Sequence, residues 1–118
     1  MTPTTIAEFL DWLRPGGSVA LTSIIPDGTT TTATFTDYAE AERWALKQNA
    51  AGRNMYFTPQ PTCGPVENKP TKADIARVEF LFCDLDPFVG EDLDAERARI
   101  RKLLNGSLHG KGYPAPSI

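Results

Sequence analysis

Asp84 and Asp86 stand one residue apart at the end of the apolar run Phe80-Leu81-Phe82-Cys83, with Pro87 directly after them. In an extended chain residues i and i+2 share a face, roughly 6.5–7 Å apart at Cα, so both carboxylates can address one point while Leu85 turns away. Two like charges that close raise each other's pKa unless a cation neutralises them, and a hard dication with oxygen ligands does so. Upstream, Phe80 and Phe82 fall on one face and Leu81 and Cys83 on the other, the pattern of a strand buried on both sides until the acids reach a sheet's rim. Pro87 then ends the pairing and leaves the carboxylates free. An ordinary turn is the competing reading of Asp-x-Asp-Pro, and the apolar run before it favours the metal.

The rest of the chain must hold that strand in place. Residues 4–13 set Ile6, Phe9, Leu10 and Leu13 on one side at helical spacing, and Pro15-Gly16-Gly17 stops them. Residues 18–25 and 29–36 are rich in β-branched side chains and flank Pro26-Asp27-Gly28, which predicts a hairpin turning on the proline's fixed φ and the glycine. Asp37 and Glu40 form a capping pair that opens a helix with the inward stripe Tyr38, Ala41, Trp44 and Ala45, closing near Gly52. Residues 54–58 then read as a short strand.

Four prolines and a glycine between residues 59 and 70 forbid regular structure and predict a long loop. Thr71 to Asp74 has capping-box spacing for one helical turn, and the strand over 78–86 follows. A last helix gathers Glu91, Asp92, Asp94 and Glu96 early and Arg99, Arg101 and Lys102 late, the order its dipole favours, with Leu93, Ile100, Leu103 and Leu104 as the buried face. The closing Pro-Ala-Pro-Ser-Ile resembles the first residues of another strand. The sum is an α+β pattern, a mixed or antiparallel sheet with flanking helices, in a single domain over 1–118 whose last part could begin a β-α-β unit.

The totals fit that picture. With 118 residues, 41% apolar, the chain has room for one core, and a net charge of −3 supplies no global basic field, so nucleic acid would have to meet a local patch or a bound cation. Two cysteines and a single histidine argue against a zinc site or a disulfide framework, and a reduced cytoplasm suits them best. No long apolar run suggests a membrane span or a signal peptide.

Other residues carry weaker signals. Lys69 and Lys72 can reach phosphates or stay solvated in their loop. Arg97 and Arg101, one turn apart beside Arg99 and Lys102, suit a template strand, as they suit an ordinary hydrated helix face. Tyr56 can stack on a base or sugar, or simply pack on the sheet. Trp12 and Trp44 read as core or interface residues. "GSLHGKG" is not a phosphate-binding loop, because three residues separate Gly106 from Gly110 and Gly112 stands where a hydroxyl should hold magnesium. Hydrolase signatures with an activated serine, a cysteine-histidine pair or a zinc-binding histidine pair are lacking.

The run "GRNMYFTPQP", the proline-rich loop, "NKPTKADIARVEFLFCDLDP", the charged helix and the closing "PAPSI" together resemble the primase-polymerase domain of the archaeo-eukaryotic primase superfamily, in the branch of plasmids, phages and integrated elements. Haloacid-dehalogenase-type phosphatases share an apolar run before Asp-x-Asp, but they continue with Gly-Thr near the chain start, where this sequence has Pro87-Phe88 after some eighty residues. The primase resemblance covers residues 50–118. It implies a partial RRM-like catalytic domain, with Asp84 and Asp86 as the first catalytic motif, holding Mg²⁺ or Mn²⁺ for two-metal phosphoryl transfer. It implies nucleoside triphosphates and a single-stranded DNA template as partners, and leaves room for a helicase domain or subunit. The family's second motif, a small residue, any residue and histidine, is met literally by Ser107-Leu108-His109, though ahead of the strand expected to lead into it. No aspartate follows Asp94 to serve as the third motif. The resemblance therefore points to the amino-terminal part of a longer replication protein, inactive as 118 residues alone. A non-catalytic α+β module that grips single-stranded nucleic acid or a protein partner is the other reading.

Overall fold

The computed structural model describes residues 2–82 and 84–113, the side chain of His109 excepted. Cys83 and the expected closing strand at 114–118 lie outside the described residues. The chain divides into two compact units, Met1–Leu81 and Phe82–Ile118.

In the first unit, helix α1 (Ile6–Leu13) starts where Thr5 and Glu8 satisfy each other's backbone amides. The Glu8 amide donates to Thr5 Oγ1 at 3.1 Å, and the Glu8 carboxylate accepts from the Thr5 amide at 3.2 Å. Such a box contributes about 1 kcal/mol by filling donors the helix cannot. Strands β1 (Val19–Ile24) and β2 (Thr30–Phe35) follow as the expected hairpin, antiparallel with Val19 opposite Phe35 and Ile24 opposite Thr30. The turn differs in one detail. Asp27, and not Gly28, takes the positive φ of 59° after Pro26, the arrangement of a type II turn, in which the Gly28 amide donates to Ile25 O at 2.9 Å. Aspartate tolerates that region better than most residues.

Helix α2 (Tyr38–Ala50) is capped by Asp37, which accepts from the amides of Ala39 and Glu40 at 3.0 and 3.2 Å. It ends in a Schellman motif: Gly52, at φ 82°, donates to Asn49 O and Arg53 donates to Gln48 O. Strand β3 (Asn54–Phe57) pairs antiparallel with β1, so the sheet is three-stranded in the order β2-β1-β3. The general architecture is thus α+β, an antiparallel sheet flanked by helices.

Alternation decides what each sheet face meets. Val19 and Leu21 of β1 join Leu10 and Leu13 of α1, Phe35 of β2 and Ala41 and Ala45 of α2 in one buried cluster. Each large side chain taken from water there contributes about 1.5–3 kcal/mol. Trp44 packs at its edge and meets the Phe35 ring at 5.3 Å, whereas Trp12 lies at the surface against Phe9. On the opposite face Thr22 and Thr32, directly across the ladder, share a hydroxyl hydrogen bond of 3.0 Å. The long loop crosses that face, where Val66 exchanges two hydrogen bonds with Thr34 Oγ1.

Residues 78–82 and 84–86 do not form the expected strand. Val78, Leu81 and Phe82 are each 69% exposed, so the run is not buried on two faces, although Phe80 does pack against the core. Periodicity states which side chains would suit a sheet, but a strand also needs a neighbouring ladder. In the first unit a side chain occupies those backbone groups instead. Gln60 Oε1 accepts from the amides of Glu79 and Phe80 at 2.7 and 3.1 Å, and Gln60 Nε2 donates to Phe80 O at 2.6 Å. Nearby, a lone antiparallel bridge joins Thr62 to Ile75, beside the one-turn 3₁₀ helix at Lys72–Asp74.

In the second unit, helix α3 (Leu93–Lys102) is capped by Asp92, whose carboxylate accepts from the Ala95 amide at 2.9 Å. It widens into a π-helical turn at Leu103–Ser107 and tightens into a 3₁₀ turn at His109–Lys111. The expected buried face is only partly seen. Leu93 is 58% exposed, Ile100, Leu103 and Leu104 are half-buried, and the residue of α3 that is buried is Glu96.

Candidate functional site

Asp84 and Asp86 are both exposed, and Leu85 between them is half-buried. Neither carboxylate has a hydrogen-bond or ion-pair partner among the described residues, nor has that of Glu91, whereas the three acids that follow are engaged. Asp92 caps α3, Asp94 pairs with Arg97 at 3.2 Å, and Glu96 is turned inward.

Glu96 organises the turn after the acid pair. Its Oε1 accepts from the Phe88 amide at 3.3 Å, its Oε2 accepts from Arg99 Nε, and the Arg99 guanidinium lies over the Phe88 ring at 4.2 Å. A carboxylate that is 4% exposed needs such partners, because an unpaired buried charge would neutralise or unfold its surroundings. The sequence carries a faint signal for this in the i, i+3 spacing of Glu96 and Arg99 on a helix, but nothing local shows that Phe88 closes the arrangement.

The remaining candidates divide between the units. Lys69 and Lys72 are exposed in the first, Lys72 within the 3₁₀ turn. Tyr56, 52% exposed, lines a groove of about 400 Å³ with Ile6, Phe9, Leu21, Met55 and Phe57. In the second unit, Arg97 is tied to Asp94 on the helix surface and Arg101 is exposed. His109 opens the 3₁₀ turn, and its side chain lies outside the described residues.

A second polar cluster, far apart in sequence, fixes the run that leads out of the first unit. Arg14, mostly buried, donates to Ser18 O, to Pro59 O at 2.8 Å and to the Glu79 carboxylate at 3.2 Å, and Arg77 binds the same carboxylate at 2.5 Å. Hydrogen bonds from Arg77 first, then from Arg14, hold the Glu79 carboxyl below its ordinary value. Tyr38 donates to Arg14 O at 2.5 Å, and burial pushes its phenol up. With partners 45 and 65 positions away from Arg14, no spacing rule reveals this cluster.

Among the described residues no three histidine, cysteine, aspartate or glutamate side chains gather where one ion could bind. Asp84 and Asp86 are exposed carboxylates, oxygen donors of the hard kind that a dication such as Mg²⁺ takes.

The fold and the acid pair define no more than a small α+β protein with two free carboxylates on a chain between elements. Comparison of the chain with protein-family models, with curated proteins and with solved structures gave no match.

Proposed function

We propose that this chain is the amino-terminal part of a primase-polymerase domain, a nucleotidyltransferase that makes or extends primers on a single-stranded DNA template. The observation that supports it is the pair Asp84 and Asp86, both exposed and both without a partner among the described residues, at the end of the apolar run that resembles the family's first catalytic motif. Mg²⁺ or Mn²⁺ held there would supply charge neutralisation for a nucleoside triphosphate and activation of a primer hydroxyl. The chain's own part is to present the two exposed carboxylates while Asp92, Asp94 and Glu96 are engaged elsewhere. Lys69, Lys72, Tyr56 and His109 are candidates for nucleotide contact, and Arg97 and Arg101 for the template. The reading assigns turnover to a longer parent protein, with or without a helicase partner, in the cytoplasm.

The apolar groove beside Tyr56 favours a second reading, a non-catalytic module that binds single-stranded nucleic acid or a protein segment. Metal dependence separates the two. In a titration of the ¹⁵N-labelled chain with Mn²⁺, paramagnetic broadening centred on residues 82–88 that disappears in the Asp84→Asn/Asp86→Asn variant is the expected result. Unlocalised broadening at millimolar Mn²⁺ overturns the metal reading and leaves the binding module.

A further inference from the structure

Strand β3 closes the sheet on one side, and its outer edge is unpaired among the described residues. One bond tells which of its backbone groups face outward. The Thr58 amide donates to Ala20 O at 2.9 Å, so in the register that sets Leu21 opposite Phe57 the groups of Tyr56 turn toward β1 and those of Met55 and Phe57 turn away. Further on, the chain meets a second antiparallel pairing, the bridge of Thr62 to Ile75. There the Cys63 amide donates to Asp74 O at 2.7 Å and the Ala76 amide to Pro61 O at 2.8 Å, which puts Pro61 and Ala76 at a hydrogen-bonded position. Followed back along both chains, such positions recur at Pro59 opposite Val78 and at Phe57 opposite Phe80. The two pairings agree, since the residue that the bridge register assigns to Phe80 is one whose backbone groups face outward from β3. Phe80 also packs against the core cluster that holds Leu21, the other neighbour of Phe57.

That pair is not made, because the chain bends at Gln60 and the side chain there takes its place. A hydrogen-bonded pair requires Phe80 to give its N–H to Phe57 O and to accept the Phe57 N–H at its own oxygen. Gln60 does both, accepting the Phe80 amide on Oε1 at 3.1 Å and donating from Nε2 to Phe80 O at 2.6 Å. One side-chain amide thus stands in for the peptide of Phe57. We infer that Gln60 is a latch: it holds residues 78–81 short of the outer edge of β3, onto which they close as a fourth antiparallel strand, Phe80 opposite Phe57, once the amide is withdrawn. An open edge can template any extended chain. This segment is its occupant because the bridge already sets its register, and because Arg14 bonds both Pro59 O and the Glu79 carboxylate and so keeps the two chains side by side. No metal is needed for the closure.

Amide NMR of the full chain tests this with Gln60→Ala, which removes the side-chain amide, and Gln60→Asn, which withdraws it by one methylene. Closure has three marks: proximity of the amide protons of Phe57 and Phe80, proximity of the α protons of Thr58 and Glu79, and exchange protection of the Phe57 amide. The wild type should show none of them. Both variants should show all three, with protection of Phe57 rising about tenfold or more, while the β1 amides that donate to β2 stay protected. Marks already present in wild type overturn the latch, because the strand would then be closed with Gln60 in place. Their absence from both variants, with β1 protected, overturns it in favour of a plain cap on the backbone of Glu79 and Phe80. Loss of β1 protection in both variants overturns it too, since Gln60 would then support the sheet itself.

Discussion

In the first unit the buried hydrophobic side chains are those of Leu10, Leu13, Val19, Leu21, Phe35 and three alanines, accompanied by hydroxyls of the sheet, whereas among the described residues of the second unit the buried one is a glutamate. The two are held by different physics. Apolar burial is non-directional and sums over many contacts, so the sheet and its helices tolerate exchange of one aliphatic for another but not a void. Hydrogen bonds and ion pairs fix direction, so α3 and the turn before it depend on a few particular atoms and little on area.

Truncation of the core is the strongest way to break this contrast. Leu10 is 1% exposed and sits among Leu13, Leu21 and Ala45, so Leu10→Ala is expected to cost about 2–5 kcal/mol through lost transfer and an unfilled cavity. Leu93, at 58% exposure, should lose less than about 0.5 kcal/mol on the same change. Both tryptophans, Trp12 and Trp44, belong to the first unit, so denaturant melts followed by tryptophan fluorescence read the Leu10→Ala cost, and amide exchange along α3 reads that of Leu93→Ala. A Leu10→Ala cost no larger than that of Leu93→Ala would remove the distinction.

The same division governs what could be read from the sequence. The hairpin, α1, α2 and β3 were legible because their patterns concern a residue and its near neighbours: alternation in residues 18–36, the stripe of Ile6, Phe9, Leu10 and Leu13, and the caps Asp37 and Gly52. The strand expected over 78–86 was not, because β character in a run says nothing about whether a ladder is free to receive it. Gln60, some twenty positions upstream, decided the matter with one amide. The expected apolar face of α3 failed for a related reason: a stripe is buried only where a surface meets it, and here the inward residue is Glu96. Of the candidate site, the sequence showed the spacing of Asp84 and Asp86, while the Glu96–Phe88–Arg99 arrangement needed the folded turn to become visible.

A smaller effect lies inside the first unit, where the segment around Glu79 is held by polar contacts in the manner of the second. The carboxyl of Glu79 is lowered from the ordinary 4.5 by hydrogen bonds from Arg77 and Arg14. A group depressed in the folded state stabilises above its unfolded value and loses that contribution as pH falls through the lower, folded one. Exchange protection of the Glu79 and Phe80 amides, corrected for intrinsic rates, should therefore decline as pH drops below about 4.5, while amides of β1 hold. In Glu79→Gln the decline should be absent. A fall of equal size in β1 would mean that acid opens the whole unit and that the segment is not separately held.

The smallest expected effect compares two pairs on one helix. Asp94–Arg97 and Glu96–Arg99 have the same i, i+3 spacing, yet the side chains of the first are 88% and 67% exposed and the Glu96 side chain 5%. In water the attraction across Asp94–Arg97 is offset by screening and by the entropy of two long side chains, so a double-mutant cycle to alanine should give a coupling below about 0.5 kcal/mol that vanishes in 1 M salt. The Glu96–Arg99 coupling should be larger and should persist in salt, because its carboxylate is out of water and the guanidinium is also fixed over Phe88. Equal couplings with equal salt dependence would show that burial at Glu96 does not strengthen the pair.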